Sequence, residues 1–162
     1  MTVMRVMGID NGSHVVGYAV LEDGALVTAG TIKSEAKDQG RRLAVIYEEF
    51  CKLLEDQKPD LVAIETPFIN SKFMSAVIPL GHSRGVLVLA LAQRNLKRLD
   101  VSPSEAKRAV GAKMKGKASV QEAVVRLLSL GSTPPPDVAD AMALAVAAES
   151  HERADGTTGP SS

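Results

Sequence analysis

Residues 4–34 hold three apolar runs in succession, "MRVMGI", "HVVGYAVL" and "ALVTAGTIKS", and the pairs Asn11-Gly12 and Asp23-Gly24 stand between them. Both pairs favour tight reversal of the chain, so the spacing predicts three consecutive antiparallel strands. That meander constrains everything after it. Residues 39–57 then place Leu43, Ile46, Phe50, Leu53 and Leu54 at helical spacing, and Pro59 ends the element. "DLVAIE", 60–65, reads as a buried strand that finishes in a carboxylate. Residues 75–95 read as a helix that Pro79 either kinks or begins. "RLDVS" is a short strand, and "SPSE" at 102–105 is a helix start with a capping box. "AKMKGK", 112–117, is a basic loop, and further helices cover 118–130 and 136–150. A meander followed by alternating helix and strand predicts an α/β fold, with a five-stranded mixed sheet and helices on both faces. Residues 1–150 form one domain, and 151–162 read as a polar, disordered tail.

The composition narrows the function. A single cysteine forbids an internal disulfide, and Cys51 in "IYEEFCKLL" reads as a small core residue. A reducing cytoplasm fits, and neither a signal peptide nor an uninterrupted apolar run of membrane length is visible. Tryptophan is absent and aromatics are scarce, which disfavours a base-stacking platform. Net charge is zero, but residues 94–126 carry nine basic and three acidic residues. That segment is +6 and the remainder −6, so one region suits phosphate contact while also fitting a plain solvated face. "GVLVLALA", 85–92, is apolar on nearly every side. In a chain this small it needs the sheet on one face and another subunit on the other.

Four acids carry the chemistry. Asp10 ends the first strand, Glu65 ends the fourth, and Asp137 and Asp140 lie three apart at the start of the last helix. Each has an ordinary reading alone: a turn acid, a strand-end residue, a pair favoured by a helix dipole. Asp140 is the hardest to dismiss, because "VADAMALAVA" surrounds it with small apolar residues. If the first and fourth strands are neighbours, the acids converge. Such a cluster repels itself unless cations sit within it, and hard oxygen donors suit Mg²⁺ or Mn²⁺. Two ions ~4 Å apart would hold a phosphodiester and activate a water.

"GIDNGSHVVGYAV", "AIETPF", "LGHSRG", "SEAKRAVG", "KASVQ" and "DVADAMALA", in this order and at these intervals, resemble the RuvC family of Holliday junction resolvases. The likeness spans about residues 5 to 148. It implies a ribonuclease H-like fold and a homodimeric, metal-dependent endonuclease that resolves four-way DNA junctions in recombination and repair. It also implies cooperation with the RuvA and RuvB branch-migration proteins. The family's catalytic carboxylates map onto Asp10, Glu65, Asp137 and Asp140. Its junction-probing aromatic maps onto Phe68, and its lysines map near Lys107 and onto Lys117; Lys113 and Lys115 share that basic segment. Lys107 stands one residue nearer Gly111 than in the family, so Lys107 and Arg108 are alternatives. The family usually has proline where Asn11 stands, a change expected to matter little. The loop after Phe68 is one residue longer. His14 and His82 match no catalytic position.

Three other readings are weighed beside this one. "DNGSHVVG" also resembles the phosphate hairpin of actin-like ATPases and sugar kinases, but those need a second domain. A related nuclease acting on RNA or an RNA–DNA hybrid shares the fold. A non-catalytic junction-binding module would not need four intact acids.

Overall fold

The structure is a computed structural model that describes residues 3–67, 74–113 and 117–157. The elements are β1 (Arg5–Asp10), β2 (Val15–Glu22), β3 (Ala25–Lys33), α1 (Gln39–Gln57), β4 (Leu61–Glu65), α2 (Met74–Gln93), β5 (Lys97–Val101), α3 (Pro103–Ala109), α4 (Lys117–Leu127) and α5 (Pro136–Thr157). They form one five-stranded sheet in the order β3-β2-β1-β4-β5. The first three strands pair antiparallel, and β1–β4 and β4–β5 pair parallel. The predicted mixed sheet is therefore present, with β1 beside β4.

Alternation along the strands builds two cores. Val6, Ala19, Leu21, Leu61, Ala63 and Val101 face α3, α4 and α5. Met7, Ile9, Val16, Val20, Val62 and Ile64 face α1 and α2 on the other side. Local signals close the helices where expected. Asp38 caps α1, whose chain leaves through left-handed Lys58 before Pro59. Ser102 and Glu105 complete the capping box of α3.

Three expectations need correction. The β2–β3 turn is the two-residue kind, with Glu22 paired to Ala25 and positive φ at Asp23 and Gly24. Asn11-Gly12 is not such a turn. The β1–β2 ladder closes at Asp10–Gly17, and neither Asn11 nor Gly12 has positive φ. A wider loop forms, and within it the Asn11 side chain bonds to α2. Second, α5 continues through Thr157, and residues 151–157 are helical rather than disordered. Glu152 pairs with Lys97, Arg153 with Glu149, and His151 lies beside Glu105 along this extension. Third, α2 does not begin at Pro79 but runs through it from Met74. The bond that proline cannot make belongs to the carbonyl of exposed Ser75, which water can serve.

Among the described helices, α2 has the length and composition to cross a membrane. Here Ser83, Leu87, Ala90 and Leu91 are buried against the sheet, and Arg84 pairs with Asp100 of β5. Ile78 and Leu89 on its other face are exposed, so the second face expected to be covered is open in the single chain.

α5 lies very close to the sheet. A Cβ on Gly8 would stand 2.0 Å from the Ala141 carbonyl oxygen, and one on Gly17 would stand 2.3 Å from that of Asp137. Both obstacles are backbone, so no rotamer change relieves them. Ala141, Ala145 and Ala148, which share the face of α5 toward these glycines, make the approach possible from the helix side. Gly8→Ala is expected to cost about 3 kcal/mol through overpacking, a fall of roughly 6–12 °C in melting temperature. Thermal unfolding followed by circular dichroism checks this; an unchanged midpoint would contradict the contact.

Candidate active site

The same alternation aims two acids at α5. Val6 and Gly8 face that helix, so Asp10 does too; Leu61 and Ala63 face it, so Glu65 does. Because β1 and β4 are parallel neighbours, both acids lie at the same end of the sheet. Asp137 and Asp140 arrive from the first turns of α5. Gly17 lies opposite Asp10 in the β1–β2 ladder, and the Asp137 backbone rests against Gly17. That contact sets Asp137 beside Asp10.

The electrostatics follow from the crowding. Burial pushes the Asp10 carboxyl up to about 8, and the charges of Asp140, Glu65 and Asp137 push the same way. A hydrogen bond with Asp137 holds the proton in place. Burial and Asp140 also raise Glu65, while Lys107 opposes them. Lys107, Glu65 and Asp140 line one cavity of about 310 Å³, walled by Pro103, Ala106, Val120, Ala143 and Leu144. Four acids thus share one corner, with Lys107 lining its cavity.

Among the described residues, no three His, Cys, Asp or Glu side chains form a closed coordination cage. The donor set nevertheless fits a hard divalent cation. All four groups offer carboxylate oxygens, and a cation among them would offset both the burial and the repulsion that keep Asp10 protonated.

The other predicted residues fall out as follows. Lys107 reaches the acids, whereas Arg108 is exposed and does not line their cavity. Lys113 is exposed, and its carbonyl accepts a hydrogen bond from Ser119. Lys117 opens α4. Phe68 and Lys115 lie outside the described residues. His14 bonds to Ser13 and His82 to Gln39, both at the surface. Sequence reasoning missed Ser83 and Arg84, which bond to the loop after Asp10 and to the Glu65 carbonyl. Their signal was "LGHSRG", where a serine and an arginine interrupt an apolar helix.

The family profile described as Crossover junction endodeoxyribonuclease RuvC matches residues 6–148. The chain belongs to the RuvC family. A relative of that name from Koribacter versatilis is 40% identical over 153 residues, covering 88% of this chain and 90% of the relative. Another, from Thermomicrobium roseum, is 37% identical over 157 residues, covering 93% and 96%. Among solved structures, T. thermophilus RuvC in complex with Holliday junction substrate matches with a TM-score of 0.82 at 23% identity, over 93% of this chain and 96% of that one. The yeast mitochondrial resolvase Ydc2 matches with a TM-score of 0.63 at 16% identity, over 89% and 77%. The two structures bear out the ribonuclease H-like fold. RuvC proteins are metal-dependent endonucleases.

Proton linkage gives a stability test for this RuvC site. Asp10 keeps its proton in the folded state up to about pH 8, whereas the unfolded chain loses it near 3.8. Its stabilising contribution is therefore full below pH 4 and lost as pH rises through 8. Without divalent cations, stability should fall across that window. Asp10→Asn should reduce the fall, of which raised Glu65 keeps a part, and raise stability at pH 8 by about 2 kcal/mol, roughly 4–8 °C. Melting curves in EDTA at pH 5 and pH 8 read the difference, and a variant less stable than wild type at pH 8 would refute the assignment.

Proposed function

We propose that this chain is a Holliday junction resolvase that cuts two opposed strands of a four-way DNA junction by metal-dependent hydrolysis, as a homodimer. The convergence of Asp10, Glu65, Asp137 and Asp140 on one corner, with Lys107 beside them, carries this reading. Asp10 and Glu65 would hold Mg²⁺ or Mn²⁺, with Asp137 and Asp140 completing the ligand set for two ions. Bound divalent cations supply an activated water and charge neutralisation at the phosphodiester. One of the two α5 acids takes the proton released by the attacking water. Lys107 offsets negative charge on the scissile phosphate from the far wall of the cavity.

DNA is held through the basic segment, with Arg108, Lys113, Lys115 and Lys117 toward phosphates and Phe68 against unstacked bases. Binding supplied by such contacts weakens steeply with salt. RuvA and RuvB are the proposed partners in the cell, and the cytoplasm the proposed location.

A four-way junction needs two cuts at a fixed spacing, and a two-fold dimer provides two sites so placed. The open face of α2 fits that role. Ile78, Gly81, Gly85 and Leu89 fall on one side of the helix, and nothing lies within 4 Å of where either glycine would carry a Cβ. Two such helices can approach closely and cover each other's apolar residues.

Asp10→Asn should lower cleavage of a synthetic four-way junction at least a hundredfold while leaving gel-shift affinity within about twofold. Lys107→Ala should slow cleavage more than Arg108→Ala does. Full activity of Asp10→Asn with added Mg²⁺ or Mn²⁺ would overturn the mechanism. Cleavage of an RNA–DNA hybrid without preference for the junction would favour the ribonuclease alternative. For the dimer, light scattering should give twice the chain mass at micromolar concentration and a folded monomer for Leu89→Glu. A wild-type chain that stays monomeric would count against it.

A further inference from the structure

α2 bonds to both strand ends that carry the site's acids. Over residues 80–84 it makes five hydrogen bonds, four to these strand ends and one to β5. The Leu80 carbonyl accepts from Asn11 Nδ2 at 3.1 Å. The Ser83 hydroxyl, wholly buried, lies 2.8 Å from Asn11 Oδ1 and 2.9 Å from the Gly12 carbonyl, and shares its one proton between them. These bonds fix the chain immediately after Asp10. Arg84 fixes the other strand: Nη1 donates to the Glu65 carbonyl and Nη2 to Asp100 of β5, each at 2.7 Å. Its side chain is only 16% exposed, so water competes little for these bonds.

The sheet does not tie the two acids together. Pairing between β1 and β4 ends at Ile9–Ile64, and Asp10 and Glu65 both lie beyond it. A cavity of about 370 Å³ opens there, bordered by Asn11, Glu65, Leu80, Gly81 and Arg84. Each end is paired on its outer side, Asp10 with Gly17 and Glu65 with Val101, but not with the other. The contacts from α2 span the gap.

We infer that Ser83 and Arg84, with Asn11 as the linking side chain, are positioning residues that bridge the ends of β1 and β4 beyond their shared ladder and set the separation of Asp10 and Glu65. The inference rests on reading those two acids as metal ligands, and it makes α2 a determinant of cation affinity. A planar guanidinium is required, because its fork serves the Glu65 carbonyl and Asp100 at once, whereas a lysine ammonium is a point donor. The Glu65 carbonyl belongs to the same peptide unit as the Thr66 N–H, which donates to the Val101 carbonyl at 2.8 Å. Loosening one side of that peptide frees the other.

The test compares the full chain with Arg84→Lys, Ser83→Ala and Asn11→Ala. Calorimetric titration with Mn²⁺ reads cation affinity, gel shift without metal reads junction binding, and amide hydrogen exchange reads Thr66 against mid-strand Val62. Arg84→Lys should weaken Mn²⁺ binding about tenfold and speed Thr66 exchange at least tenfold, with Val62 and junction affinity unchanged. Ser83→Ala and Asn11→Ala should each weaken Mn²⁺ binding several-fold. Mn²⁺ affinity within twofold of wild type in both Arg84→Lys and Ser83→Ala overturns the inference. So does loss of junction binding at unchanged Mn²⁺ affinity, which makes Arg84 a DNA contact. If the wild type binds no Mn²⁺, the metal-ligand reading falls by itself. Thr66 exchange then decides the clamp: acceleration in Arg84→Lys supports it and an unchanged rate overturns it.

Discussion

The backbone-to-backbone contact between α5 and the first two strands is the constraint on which the rest depends. Gly8 and Gly17 leave no side chain on the sheet, and the alanines of α5 leave little on the helix. Helix and sheet meet closer than ordinary side chains permit. That brings the Asp137 backbone against the residue paired with Asp10. The remaining helices fill the space around this contact: α3 and α4 pack beside α5, and α1 and α2 cover the opposite face.

Close packing here serves electrostatics as well as cohesion. Carboxylates gathered at the rim of a core are destabilising, because each loses solvation and repels its neighbours. The raised Asp10 and Glu65 groups record that cost. The well-filled cores on both faces offset it, and a divalent cation would convert the repulsion into binding energy. Sites that work against stability in this way are where functional residues are expected.

Much of the architecture was legible in linear order. The succession of strands and helices already placed Asp10 and Glu65 at the ends of their strands, and a meander followed by helix–strand units made β1 and β4 natural neighbours. The errors came where a local signal did not decide the outcome. Asn-Gly is a strong hairpin pair, but the β1–β2 ladder closes at Asp10–Gly17 and the two-residue turn lies at Asp23-Gly24. A polar C-terminal composition suggested disorder, but α5 stays helical through Thr157, with Glu152 paired to Lys97 and His151 beside Glu105. Ser83 and Arg84 escaped notice because their partners are a main-chain carbonyl and a loop far away in the chain, which no spacing rule reports.

By itself the sequence determined the strand and helix succession, the place of two acids at strand ends, the i,i+3 pair on the last helix, and the family. These follow from local periodicity and residue type, which need no knowledge of what packs where. Only the tertiary structure decided which face of the sheet the strand-end acids share, that Lys107 rather than Arg108 reaches the acids, that burial with three neighbouring carboxylates holds the Asp10 proton, and that α2 links two strand ends not paired with each other. Each of these depends on distances between residues far apart in sequence. Such distances are set by how closely α5 and α2 settle on the sheet.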